Sequence, residues 1–234
     1  MMQIDITFDF QSDTPVGKDP DSHSPTLRYY HQFLWSKPLP SGADFTLDAS
    51  GTPYLHHKSA LGEFFLASDT VIPSFQKARR VKAFAPQLPP GDLDSLNALG
   101  YTIGGMMIFP GNRIGGAMTI NGARGFHHKI KDRFDLTVEC IRRHYAGEAS
   151  PLSDVLARYA AFFALFGDFP GYVKHFLLQD MVSSDCSTVR FSAPFDDFAS
   201  SPIPGSLESY QAYRRNAMDF ITARNRRILE FCRR

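Results

Sequence analysis

Asn121–Asp135 reads NGARGFHHKIKDRFD, and it lies where the chain changes from strand-like to helix-like patterning. Before it, YTIGGMMIFPG (101–111) and GAMTING (116–122) flank the turn-forming GNRIGG, the pattern of a hairpin with a loop of about five residues. After it, Phe134, Val138, Ile141 and Tyr145 recur at helical spacing, with Asp132 or Asp135 to open the helix and Gly147 to stop it.

Working outward from this junction, the two halves differ. Ile4, Ile6, Phe8 and Phe10 alternate with polar residues, which predicts an opening strand, and QSDTPVGKDPDSHS (11–24) reads as a loop. Ser24 followed by Pro25 is a good helix start, with Leu27, Tyr30, His31 and Leu34 on one face. Residues 44–72 suggest two or three strands, residues 75–84 fit helix or extended chain, and Asp92 is placed to cap a short helix closed by Gly100. Later, Ser150 or Ser153 caps a helix reaching Phe166, another covers Tyr172 to Gln179, and Ser206 caps a long C-terminal helix. Strands early and helices late predict an α+β fold: an antiparallel or mixed sheet, mainly from the N-terminal half, packed against helices mainly from the C-terminal half. No repeat or long linker divides residues 1–234, so one globular domain is expected.

Composition narrows the class. With 43% hydrophobic and 21% charged residues the chain should be globular rather than disordered. MMQIDITFDF carries Asp5 and Asp9 and lacks the basic region and apolar run of a signal peptide, and no apolar stretch is long enough to cross a bilayer. Cys140, Cys186 and Cys232 are far apart without a CxxC pair, which fits a reducing cytoplasm better than a disulfide framework. Charge is uneven: five Asp face Lys18 alone before residue 25, whereas seven Arg face three acids from Ser206 to Arg234. Such ends can pair with each other or leave a basic helix free for phosphates.

Four strings, DPDSHSPTLRYYHQFLWSKPLPSG (19–42), YTIGGMMIFPGNRIGGAMTINGARGF (101–126), DRFDLTVECIRRHY (132–145) and SPLSDVLARY (150–159), together resemble a family of bacterial cytoplasmic proteins of this length, a domain of unknown function. The resemblance covers nearly the whole chain and implies a bacterial or phage-borne intracellular protein. It brings no catalytic residues, so the candidate sites rest on the residues themselves.

Arg124, Lys129, Lys131 and Arg133 outweigh Asp132 and Asp135 just ahead of the mid-chain helix. Each cation at a helix start is unfavourable by about 0.3 to 1 kcal/mol when exposed. The two aspartates can compensate as cap and first-turn acids; alternatively an anion binds there. The second reading puts phosphate on Arg124 between Gly122 and Gly125, with His128 nearby and Asn112 and Arg113 arriving from the hairpin. His127 or His56 would then handle a proton, joined by His31 if the fold brings them together. No Walker loop, GxGxxG, GxSxG or metal-ligand spacing is present, and neither cofactor nor oligomeric state is indicated.

The leading expectation is therefore binding of a phosphate-bearing small molecule or nucleotide in a basic cleft, with its transformation left open. One alternative is nucleic-acid binding or modification through Arg215, Arg224, Arg226 and Arg227, although a pI near 7.8 is low for that class. Another is a noncatalytic interaction module working through the charged ends.

Overall fold

The computed structural model describes residues 4–50 and 54–233; Arg234 of the basic C-terminus lies outside them. Ile4 and Phe10 are buried as their apolar character requires, but residues 4–10 form turns and not the expected strand. Asp5 and Asp9 are the cause. The Asp5 carboxylate accepts from the Thr7 amide and hydroxyl at 2.8 and 2.6 Å, and Asp9 accepts from the Gln11 amide at 2.9 Å. These local bonds offer the backbone an alternative to a sheet ladder. Two helices follow. α1 (Pro20–His23) is capped by Asp19, and α2 (Pro25–Trp35) by Ser24, whose hydroxyl accepts from the Leu27 amide at 3.1 Å.

β1 (Leu55–Ser59) and β2 (Gly62–Thr70) form a hairpin, and β3 (Met106–Pro110) pairs antiparallel with the other side of β2, in register from Leu66↔Pro110 to Thr70↔Met106. Between β2 and β3 run α3 (Arg79–Phe84) and α4 (Asp92–Gly100). The hairpin expected around GNRIGG does not form. Thr119 instead accepts from the Gly122 amide and caps α5 (Ile120–Phe126), so the segment after β3 turns helical and β3 pairs with β2. Of the two or three strands expected over residues 44–72, β1 and β2 form, and among the described residues the stretch before them contributes the bridge Asp48↔His56.

The helical half opens with α6 (Phe134–Ala146), which ends at Gly147 with φ 70°, followed by α7 (Ser153–Arg158), α8 (Ala160–Ala164) and α9 (Phe169–His175). α9 starts before the expected Tyr172 because Asp168 accepts from the Gly171 amide at 2.7 Å, fixing the cap upstream. α10 (Leu207–Cys232) has the Ser206 cap, reinforced by Ser209. One continuous core runs from Ile4 to Ile228. In it Trp35, Phe162, Phe166 and Tyr172 surround Phe176 with ring centroids 4.9 to 6.5 Å away. Each such ring contributes about 1.5–3 kcal/mol on burial. Among the described residues no helix is long and apolar enough to cross a membrane.

Candidate functional site

Arg124 occupies the face of α5 that also carries Ile120, one turn earlier, and both are buried. Its guanidinium is fully engaged inside the protein. Nε donates to Thr137 Oγ1 at 2.9 Å, one Nη to the carbonyls of Asp132 (3.0 Å) and Val71 (3.3 Å), and the other to the Asp69 carboxylate. The group also lies over the Phe109 ring. The expectation that Arg124 presents its charge to a guest is corrected: a solvent-free guanidinium requires internal acceptors, and Asp69, 55 residues away in sequence, supplies the charge.

The same part of the molecule gathers further acids. Ser68 and Thr70 continue the buried face of β2 begun by Phe64 and Leu66, and polar groups there need partners. Asp21 of α1 provides them, accepting from Ser68 Oγ at 2.7 Å and from the Thr70 amide and hydroxyl at 3.2 Å. Because Ser68 Oγ donates to Asp21, the His31 Nε2 at 3.0 Å must donate to Ser68, leaving His31 Nδ1 to accept from Trp35 Nε1 at 2.9 Å. Burial, with Arg224 adding to it, holds His31 down to about 3, so this imidazole stays neutral. It is a buried relay member and not an open base.

Burial also raises the Asp21 carboxyl, with Asp19 adding repulsion against the hydrogen bonds of Ser68 and Thr70. Asp69 goes further. Burial pushes it up to about 7, Arg124 pulling down while Asp21 and Asp132 push up, and 23% of its side chain remains exposed. The Tyr101 phenol is raised by burial and by the charges of Asp21 and Asp19.

Beside these groups opens a cleft of about 710 Å³, lined by Thr70, Tyr101, Gly125, Lys131 and Asp132, with Ser74 and Lys77 among the residues that complete it. Gly125 permits close packing here, since a Cβ would stand 3.2 Å from an Asp132 carboxyl oxygen. Lys131 and Asp132 are consecutive non-glycine residues with φ of 46° and 61°. Such backbone costs on the order of 1–3 kcal/mol per residue and persists where surroundings enforce it. Here the Asp132 amide donates to the Arg124 carbonyl at 3.1 Å while Arg124 binds the Asp132 carbonyl in return.

The remaining expected site residues do not converge on this cleft. Gly122 packs against Met118, where a Cβ would lie 2.6 Å from Met118 Cγ. Arg113 is exposed, and the Asn112 carbonyl accepts from Tyr159. His127 and His128 stack on each other with centroids 4.9 Å apart, outside the cleft lining; burial and the neighbouring His128, Lys129 and Lys131 lower the His127 pKa. His56 stacks on Phe65 and pairs across the hairpin with Glu63 at 2.9 Å. Asp135 answers the charge of the junction locally, holding Arg133 at 2.6 Å. On α10, Arg224 is buried and donates to the carbonyls of Gly104, Met106 and Phe176, and Arg227 pairs with Asp180 at 2.8 Å. These partners withdraw both from a nucleic-acid face and leave Arg215 and Arg226 exposed. Among the described residues no group of His, Cys, Asp and Glu is arranged to hold a metal ion.

Thr70 and Tyr101 of the cleft, and the Asp21 and Asp69 carboxyls beside Thr70, were missed in the sequence. Ser68 and Thr70 on the apolar face of a strand were the available signal for a buried polar partner.

Fold and cleft define an α+β protein with a polar, lysine-edged cleft. A family model described as a family of unknown function (DUF6994) matches residues 4–228, and the chain belongs to that family. No curated protein and no solved structure matches the chain.

Proposed function

We propose that this chain is a cytoplasmic protein that binds a phosphate-bearing small molecule, a nucleotide or sugar phosphate, in the cleft beside Thr70. The observation that carries the reading is that Lys77 and Lys131 line the same cleft without forming an ion pair among the described residues. Lys131 Nζ reaches only the Phe126 carbonyl, at 3.4 Å. Two ammonium groups that form no ion pair suit a phosphate, and the Thr70, Tyr101 and Asp132 side supplies acceptors and donors for hydroxyl groups. The enforced left-handed backbone at Lys131 and Asp132 is the kind of strain that collects at ligand sites.

The test is a thermal-shift screen with nucleoside mono-, di- and triphosphates and sugar phosphates on the wild type and on the double variant Lys77→Ala/Lys131→Ala. At least one phosphate compound should raise the wild-type Tm, and the double variant should lose that rise while keeping its own Tm. Equal stabilisation of both proteins, or none of the wild type, would count against the proposal.

A further inference from the structure

A second pocket, away from the cleft, holds an amine with no counter-ion. It measures about 650 Å³ and lies between the segment after α2, the α9 region and the end of α10. Lys37 lines it, its Nζ 5.0 Å from the Trp35 ring centroid and 4.5 Å from that of Phe231. No carboxylate approaches it as an ion-pair partner among the described residues; the groups that act on it are the buried cation Arg224, which disfavours its charge, and the Cys232 thiol, which favours it. Among the described residues, His175, 96% buried on the same pocket, leaves its Nε2 without a hydrogen-bond partner, and so does Gln179 its Oε1. Lys174, Arg227 and Glu230 are the other charged residues of the lining; Arg227 is answered by Asp180 and by the nearby Glu230, which leaves Lys37 and Lys174 as cations without an ion pair among the described residues.

We infer that this pocket takes a small oxo acid, a carboxylate that also carries an aldehyde or ketone, and that Lys37 captures its carbonyl carbon as an imine. The carboxylate supplies the negative charge that Lys37 and Lys174 lack, and the proline-rich, aromatic wall accommodates a short carbon chain. In the capture step the lone pair on Nζ forms the C–N bond while the carbonyl π pair moves to oxygen. The oxygen leaves as water with two protons drawn from the original ammonium, and nitrogen keeps the third as the iminium, so atoms and charge balance without a further reactant. Burial, reinforced by Arg224, lowers Lys37 to about 7, which provides free amine at neutral pH. His175, held near 3 by burial and by Lys37 itself, remains uncharged and adds no repulsion.

The test uses glyoxylate as the oxo acid and acetaldehyde as the uncharged comparison, each with sodium cyanoborohydride at pH 7, followed by peptide mapping. With glyoxylate, Lys37 should be alkylated on the order of a hundredfold or more faster than exposed Lys174, because its lowered pKa supplies free amine at pH 7, and its rate should saturate with concentration. Acetaldehyde should modify Lys37 without saturation. Lys174→Ala should weaken the half-saturating glyoxylate concentration and leave the acetaldehyde rate unchanged. Labelling of Lys37 no faster than of Lys174, or an identical linear response to both aldehydes, would overturn the inference; both readouts use the wild-type fold, so neither depends on a variant surviving. The cleft beside Thr70 plays no part in either outcome.

Discussion

Arg124 on α5 and Asp69 on β2 form an ion pair in which the arginine is entirely buried and the aspartate is 23% exposed. The pair joins the sheet to the loop ahead of α6, because the same guanidinium binds the Asp132 and Val71 carbonyls. Removing one partner leaves the other charge buried. Arg124→Met is therefore expected to cost about 3–5 kcal/mol of stability, read from urea denaturation. A role confined to holding a ligand would leave stability unchanged and reduce only binding.

The buried histidines set the acid side of the stability profile. His31 and His175 titrate near 6.5 when unfolded and near 3 when folded, so the unfolded state binds more protons between those values. Stability they contribute is fully present above 6.5 and is lost as pH falls. Asp69, raised to about 7, works in the opposite sense, favouring the folded state as pH drops below 7. Two protons against one leave a net loss of about 1 kcal/mol per pH unit from 6.5 to 5. Urea midpoints across that window check it, and a stability that climbs on acidification would contradict the buried, neutral histidines.

Lys131 separates stability from binding. Its φ of 46° is comfortable for glycine and costly for lysine. Lys131→Gly should hold or raise stability by up to about 1 kcal/mol while lowering affinity for the phosphate compound. A parallel fall in Tm would show that the lysine side chain supports the fold.

Gly104 tests the seating of α10. A Cβ there would lie 2.6 Å from the Ile221 carbonyl and 2.7 Å from Asn225 Oδ1, which also accepts from the Gly104 amide at 2.7 Å. Gly104→Ala should cost about 3 kcal/mol by overpacking, measurable by denaturation.

How much of this was legible depended on distance along the chain. The caps at Ser24 and Ser206 and the stop at Gly147 are written within a few residues and were found as expected. The strand expected over residues 4–10 failed for an equally local reason, since Asp5 and Asp9 were read as the polar half of an alternation when their carboxylates bend the backbone. The cleft was not legible because Thr70, Lys77, Tyr101 and Asp132 are brought together by tertiary packing alone. Arg124 was read as a charge beside glycines, although its place one turn after Ile120 puts it on the apolar face of α5. Buried ion pairs leave no periodic trace, so their partners emerge only from the fold.

The most direct measurement is an NMR titration of the isotope-labelled chain with the phosphate compound that stabilises it most. Amide shifts should move together at Thr70, Tyr101, Gly125 and Lys131, around the cleft. Saturable shifts confined to the exposed Arg215 and Arg226 face of α10, with those four amides unmoved, would contradict the cleft as the ligand site.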